Sequence, residues 1–456
     1  MTDIKTDVLI LGGGTAGYAC ALECVKNGLD TVLVEKDFAL GGTGLRTGCL
    51  PVKYLLDQVK LRLKAERSGL KVVFDQHQLF RECRKYIEKN SGRMEKVLKA
   101  EGVRCFYGNG NFLDGNTYEM EVGEGKRRIL AKQVVLATGT RPGHPAEVNP
   151  DGERIITHRE LAGLETAPEK LVILGGEVEG LEYASLFSEL GSHVTLLEMM
   201  PEFLAGMDED LREPLIRRLK ENGVQLRNNC KVTGAEIHEN GVMIYTDSGE
   251  NFLGDKALVA MPRKANLPSG IDGIPVEIKQ DRLVVNEDCQ TSVAHVYAIG
   301  DLNGRMEMAH TAWQQGVFLG RHLAIGTPIP WEYQALPRVM FSIPENAGSG
   351  KQEKELLAEG IPYRKGVVCW SETWRGAVQP WSEGHVKVMV GEDDTLLGVW
   401  MTGLDIGDQV GFLGMMIQKG MKAQEIEKHL MVHPTLSEGI IQAINKAREL
   451  GTGYRE

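Results

Sequence analysis

The sequence predicts an α/β chain of two doubly wound, Rossmann-like domains followed by a C-terminal α+β unit. Two segments, 7–35 and 171–198, repeat one plan: an apolar run, a glycine turn, a helix-forming stretch, and a second apolar run ending in a glutamate. After about residue 331 the pattern changes to strands followed by helices, as in an α+β unit. At 456 residues the chain suits two or three domains with real apolar cores.

The first unit justifies each of its elements. Asp7 to Leu11 is a short strand, Gly12-Gly13-Gly14-Thr15-Ala16-Gly17 a turn, and Tyr18 to Lys26 a helix. Gly12 allows the tight turn, Gly14 lets a pyrophosphate approach the backbone, and Gly17 permits close packing of helix on strand. The phosphates then sit at the helix N-terminus. Thr31 to Val34 gives the second strand, and Glu35 at its end can accept from ribose hydroxyls. Leu79 to Ala100 carries Leu79, Cys83, Ile87, Met94 and Leu98 at helical spacing, a packing face. Val103 to Tyr107 and the alternating runs through Glu121 read as strands between Gly and Asn turns.

The second unit runs from the strand Leu171 to Leu174 to the strand Val194 to Leu197 and Glu198. Its turn reads Gly175-Gly176-Glu177-Val178-Glu179-Gly180, with Glu177 at the place of the second glycine. At about 4 Å and a surface-like dielectric, two unit charges repel by about 4 kcal/mol, so conventional pyrophosphate binding is expected to be nearly abolished. The alternative is that Glu177 turns outward and a nicotinamide nucleotide still binds. Glu198 alone would favour NAD over its 2'-phosphorylated form.

Bulk properties exclude several classes. A net charge of −11 without a basic run argues against nucleic acid or an anionic membrane as partner. No stretch reaches the ~18 apolar residues of a membrane span. Met1-Thr2-Asp3 leads straight into a strand with no signal-like segment, so a cytoplasmic location is expected. Eight cysteines without CxxC or zinc-like spacing fit a reducing compartment and give no metal site.

One segment, Gly41-Gly42-Thr43-Gly44-Leu45-Arg46-Thr47-Gly48-Cys49-Leu50-Pro51-Val52-Lys53, closely resembles the redox segment of the flavoprotein disulfide reductases, nearest in pattern to the dihydrolipoamide dehydrogenase type. That family has two cysteines five residues apart, presented by one turn of helix beside the flavin. The first exchanges with substrate, and the second passes electrons to or from the flavin. Here position 44 is Gly, so Cys49 matches the flavin-facing member and stands alone. Dithiol/disulfide interchange needs a resolving thiol, which this turn lacks. The competing reading is a small buried residue, as many free cysteines are.

The resemblance covers nearly the whole chain and implies further roles. It implies FAD as cofactor, held by Gly12, Gly14, Thr15, Ala16, Gly17, Glu35, Lys36, Gly42, Thr43, Lys53, Gly110, Thr138, Gly139 and Asp301, with Met308, Ala309 and His310 opening a helix that faces the isoalloxazine. It pairs Lys53 with Glu182 under the flavin N5 and makes His433 the acid/base, oriented by Glu438. In such dimers that last pair reaches the flavin site of the other subunit, so a homodimer is expected. Val178 falls at the family's aromatic gate, Glu179 at its apolar neighbour, and Pro262 at the glycine of the segment Met261-Pro262-Arg263-Lys264-Ala265-Asn266. Use of NAD(P)H is therefore doubtful.

The implied domains are 1–149 (FAD, first part), 150–265 (NAD type, degenerate turn), 266–330 (FAD, return segment) and 331–456 (dimerisation). The expected activity is FAD-dependent oxidoreduction of a thiol, disulfide or related sulfur substrate through a single cysteine. The alternatives are a peroxide or persulfide reductase working through Cys49 alone, or a flavoprotein relaying electrons to a protein partner, with a lipoyl-type protein as one candidate.

Overall fold

The computed structural model describes residues 3–122, 125–329, 333, 335–379 and 381–449. The chain opens with β1 (Ile4–Leu11), α1 (Thr15–Lys26) and β2 (Thr31–Glu35), then makes an excursion through α2 (Cys49–Arg67) and α3 (Gln76–Ala100). It returns as β3 (Arg104–Tyr107), β4 (Gly110–Phe112), β5 (Thr117–Val122) and β6 (Gly125–Leu136). The sheet order is β3-β2-β1-β6-β5-β4. β6 changes partner along its length: its first half pairs antiparallel with β5, and its second half runs parallel to β1. β2 is buried along its whole length, as a parallel strand covered on both faces should be.

Element ends differ from the sequence expectation for local reasons. α1 starts at Thr15 rather than Tyr18, because Gly14 is its extended N-cap and the rest of the glycine motif is already helical. α3 starts at Gln76 rather than Leu79, because the Asp75 side chain accepts the Gln78 N–H at 3.0 Å. The buried face of α2 (Val52, Leu55, Leu56, Val59, Leu63) packs in one core with Leu79, Phe80, Cys83 and Ile87 of α3.

The second sheet follows through β7 (Thr140–Gly143), β8 (Ile155–Ile156), β9 (Lys170–Leu174), α4 (Val178–Glu189), β10 (His193–Leu197), α5 (Glu209–Glu221) and β11 (Gln225–Arg227). A three-stranded layer of β12 (Val232–His238), β13 (Gly241–Thr246) and β14 (Asn251–Gly254) precedes β15 (Lys256–Val259) and β16 (Met261–Ala265). Strand order is β11-β10-β9-β15-β8, and β16 pairs antiparallel with β7. After β17 (Ile278–Lys279) and β18 (Arg282–Leu283), β19 (Val296–Ala298) joins β6 in the first sheet and leads to α6 (Ala309–Ile325). α6 lies tight on α1: a Cβ at Gly316 would come 2.3 Å from the Ala16 carbonyl oxygen.

The C-terminal unit comprises β20 (Arg338–Met340), β21 (Glu345–Gly350), α7 (Glu353–Glu359), β22 (Tyr363–Cys369), α8 (Trp374–Ala377), β23 (His385–Gly391), β24 (Leu396–Gly403), α9 (Val410–Gln418), α10 (Ala423–Glu427) and α11 (Ser437–Glu449). Its antiparallel sheet runs β20-β21-β24-β23-β22.

Candidate active site

The first glycine turn is built to leave space. Gly12 has φ +103, and a Cβ there would lie 2.4 Å from the Ala137 carbonyl oxygen. A Cβ at Gly17 would lie 1.9 Å from the Gly12 oxygen. Gly14 faces Gly42, which has φ +52, and a Cβ on Gly42 would come 2.8 Å from the Gly14 Cα. No side chain caps α1, so the amides of Thr15 and Ala16 remain available to a phosphate. Glu35 is buried at the end of β2, where its Oε2 accepts the Gly13 N–H at 2.7 Å and its Oε1 the Asp37 N–H at 3.0 Å. Burial pushes its carboxyl up, against those two hydrogen bonds. Lys36 follows it, exposed. Gly108, rather than Gly110, donates its N–H to the Glu35 carbonyl at 2.9 Å; Gly110 stands two residues on, in β4. These residues form a cradle that fits the adenosine and pyrophosphate of FAD.

The redox segment is a five-residue π turn, Thr43–Thr47, rather than one turn of α-helix. Its closing bond runs from the Gly48 N–H to the Thr43 oxygen at 2.7 Å. Gly44 and Cys49 have the same spacing one residue further along. A Cβ at Gly44 would come 2.9 Å from Thr15 Oγ1, so the turn packs on the start of α1. Cys49 begins α2 and is solvent-accessible, yet protein surrounds the sulfur on enough sides that desolvation pushes its thiol up, with Lys53 acting in the opposite sense. Within one chain the environment therefore does not favour a thiolate at neutral pH.

One turn along α2, Lys53 donates to Glu182 Oε2 at 2.6 Å, joining residues 129 positions apart. Glu182 is buried, and its Oε1 accepts the Phe341 N–H at 2.8 Å. Desolvation works against the Lys53 ammonium, but Glu182, with Cys49 and Glu179 behind it, outweighs burial, so its pKa is raised. Thr140 Oγ1 donates to Asp301 Oδ2 at 3.1 Å and accepts from Arg263 Nε at 2.7 Å. Thr138 Oγ1 donates to the Asn266 oxygen at 2.5 Å beside Gly139, and Asn266 N–H returns to the Gly139 oxygen at 2.9 Å. Met308 is the extended N-cap of α6, whose first residues Ala309 and His310 are exposed.

The second turn reproduces the first in backbone and departs from it in one side chain. Glu177 caps α4 with φ −87 and ψ −168, against −73 and −171 at Gly14. This is extended backbone that any residue can adopt, so the fold tolerates the substitution and only a ligand would feel it. Glu177 is exposed and takes the Ala205 backbone N–H; partial burial, then the nearby Glu198, push its carboxyl up. Glu198 mirrors Glu35: its Oε2 accepts the Gly176 N–H at 2.6 Å and its Oε1 the Met200 N–H at 2.8 Å.

Glu179 is tied sideways by the Tyr183 hydroxyl at 2.7 Å and His158 Nδ1 at 3.4 Å. Burial opposes its charge, but these partners and Arg263 hold it below the usual carboxylate range. His158 and Tyr183 join this neighbourhood without any motif that could have announced them, and Phe341 joins it from the segment Phe341-Ser342-Ile343-Pro344-Glu345, which resembles a landmark of the family's dimerisation domain.

On the C-terminal unit, His433 Nδ1 and Glu438 Oε1 are 2.8 Å apart, and Glu438 Oε2 accepts the Thr435 N–H at 2.9 Å. Trp374 stands edge-on to the imidazole with ring centroids 5.9 Å apart. Among the described residues of one chain, no hydrogen bond or ion pair links His433 or Glu438 to Cys49 or Lys53.

Two doubly wound units, a glycine cradle with its acid and a lysine–glutamate pair beside a cysteine define a flavin-dependent oxidoreductase. Residues 6–316 match the family described as pyridine nucleotide-disulphide oxidoreductase, and residues 336–444 match its dimerisation domain. The chain belongs to this family, which binds FAD. It is 31% identical over 461 residues to the dihydrolipoyl dehydrogenase of Bacillus subtilis (strain 168), covering 96% of this chain and 97% of that one. It is also 31% identical over 461 residues to that of Geobacillus stearothermophilus, covering 98% and 97%.

The same fold recurs in LpdA from Mycobacterium tuberculosis, 24% identical, with a TM-score of 0.90 over 98% of this chain and 99% of that chain. It recurs again in the HOCl-induced flavoprotein disulfide reductase RclA from Escherichia coli, 21% identical, with a TM-score of 0.88 over 96% and 99%. The protein is thus an FAD-dependent oxidoreductase, and its dimerisation domain supports a homodimer. Among the described residues no helix is long and apolar enough to cross a membrane.

Proposed function

We propose that the protein oxidises or reduces a thiol, disulfide or related sulfur compound through Cys49 as its single flavin-linked sulfur. The observation that carries this reading is the coincidence of Cys49 with the Lys53–Glu182 pair at the head of α2, opposite a Gly44 that has no sulfur. The bound FAD supplies the two-electron store. Lys53, held by Glu182, presents positive charge towards the reduced ring, and the unguarded amides of α1 hold the pyrophosphate. His433 and Glu438, brought by the second copy of the chain, move the proton on the substrate sulfur. NAD(P)H is a poor donor in this reading because Glu177 lies at the phosphate approach. A cytoplasmic setting accords with eight unpaired cysteines.

The elevated Cys49 thiol favours a second reading, in which the flavin relays electrons to a protein partner without sulfur chemistry. Anaerobic titration of the purified protein with a dithiol and, separately, with NADH distinguishes them. The proposal expects reduction by the dithiol that is lost in Cys49→Ser. Dithiol reduction at an unchanged rate in Cys49→Ser refutes it and leaves the relay.

A further inference from the structure

Three parts of the chain meet at Phe341, in the loop between β20 and β21. Its backbone N–H donates to Glu182 Oε1 at 2.8 Å, on the oxygen opposite the one that Lys53 holds at 2.6 Å. Its ring lies under two ammonium groups of the same helix face: Lys53 Nζ at 5.0 Å and Lys60 Nζ at 5.9 Å from the centroid. Four residues on, Glu345 takes the Lys60 ammonium in a buried pair and accepts the Gly407 N–H on its second oxygen at 2.9 Å. Lys53 and Lys60 are two turns apart on α2, so the loop grips that helix at both ends of one stripe. The grip comes from the dimerisation domain, the helix from the first domain and Glu182 from the second.

A ring face stabilises a cation through its quadrupole, most strongly where water is scarce. Lys53 is only 24% exposed, and its carboxylate partner 6%. The ammonium thus has two anchors, the Glu182 carboxylate at 2.6 Å and the Phe341 face at 5.0 Å, which constrain its position as well as its charge. We propose that Phe341 is a positioning residue for Lys53: the dimerisation domain, through this ring, holds the ammonium where it stabilises the reduced flavin. A purely structural Phe341 would fill volume and nothing more.

The test is the midpoint potential of the bound flavin, measured by dye equilibration on the full-length, FAD-loaded dimer. FAD content and melting temperature serve as folding controls. Phe341→Tyr keeps the ring face and should retain the wild-type potential. Phe341→Leu keeps most of the apolar volume without the face, and should move the potential in the negative direction. In a Lys53→Met background Phe341→Leu should add no further shift. Site-specific replacement of Phe341 by mono-, di- and trifluorophenylalanine keeps shape while draining the ring face, and the potential should fall stepwise with fluorine count. This series decides the matter if Phe341→Leu loses its FAD. A potential indifferent to fluorination, or a Phe341→Leu shift that persists in Lys53→Met, overturns the proposal. Because no substrate enters the measurement, either outcome is independent of the sulfur chemistry assigned to Cys49.

Discussion

Glu438 holds His433 by Nδ1 at 2.8 Å, while its other carboxylate oxygen is fixed by the Thr435 amide. A carboxylate can only accept, so the neutral ring carries its proton on Nδ1 and turns a basic Nε2 away from Glu438. The Thr435 N–H, and after it His433, keep the Glu438 carboxyl below its ordinary range, so the dyad is intact at neutral pH.

This dyad is expected to serve the flavin of the second copy. Mixing equal amounts of Cys49→Ser and His433→Ala chains should give heterodimers in which one site carries both changes and the other none. With random pairing, about a quarter of the wild-type sites return. Each homodimer alone should be poor. Heterodimers no more active than the parents would place His433 outside the site.

Cys49 should titrate above an ordinary cysteine when the second copy contributes no cation. Alkylation of His433→Ala by iodoacetamide is expected to accelerate only at alkaline pH, and a long-wavelength flavin shoulder should grow over the same range. In wild type both midpoints should lie lower, because an imidazolium close to the sulfur favours the thiolate. Gly44→Cys should abolish the shoulder on oxidation by closing a disulfide, provided Thr15 Oγ1 rotates out of the 2.9 Å contact. A spectrum insensitive to pH, alkylation and Cys49→Ser would show that Cys49 is not in electronic contact with the ring.

Glu177→Gly should leave the backbone of the second turn unchanged, since φ −87 requires no glycine. It removes the charge that opposes a pyrophosphate, and flavin reduction by NADH should rise at least tenfold, which corresponds to about 1.4 kcal/mol. The reverse change at the first turn, Gly14→Glu, should yield protein without FAD. Wild-type reduction by micromolar NADH as fast as in Glu177→Gly contradicts the argument.

Lys387 is fully buried and bonds Asp208 at 2.8 Å, Asp210 at 2.7 Å and Glu353 at 3.2 Å, tying the second domain to the third. Asp208 keeps the Glu353 and Lys354 N–H groups, Glu353 keeps Tyr363 and Lys365, and Asp210 keeps His385, so Lys387→Met removes only the shared cation. It should destabilise the fold by about 3 kcal/mol, the lower end for a broken buried pair, read from chemical denaturation. Burial raises the Asp210 carboxyl, but His385 and Lys387 outweigh it and the net shift is downward; Glu353 is likewise lowered. Carboxyls depressed on folding contribute stability above their unfolded pKa of about 4 and lose it as pH falls through the depressed values. The melting temperature should therefore drop below about pH 4 in wild type and less so in Lys387→Met.

Much of this site was legible from residue order alone. Glycine turns announce themselves because only a missing side chain fits at Gly12 and Gly17, where a Cβ would lie within 2.4 Å of a carbonyl oxygen. The terminal acids Glu35 and Glu198 follow from their place at the strand ends, and Lys53 only from the resemblance of its segment to the family's redox segment. Helix starts were less legible, since Asp75 and Gly14 act as caps that apolar periodicity does not register.

The sequence by itself determined the doubly wound architecture, the solitary cysteine at 49 and the charge placed at 177, because each depends on which side chain a local turn can or cannot hold. Only the tertiary structure decided what those groups experience. It showed that Glu177 bends to Ala205, that Cys49 is desolvated despite its accessibility, and that Glu179 is turned aside by His158 and Tyr183. It also brought Phe341 to Lys53 across 288 positions of the chain. The physical reason is that pKa shifts and cation–π contacts depend on distances between groups far apart in sequence, which chain spacing does not encode until all three domains have packed.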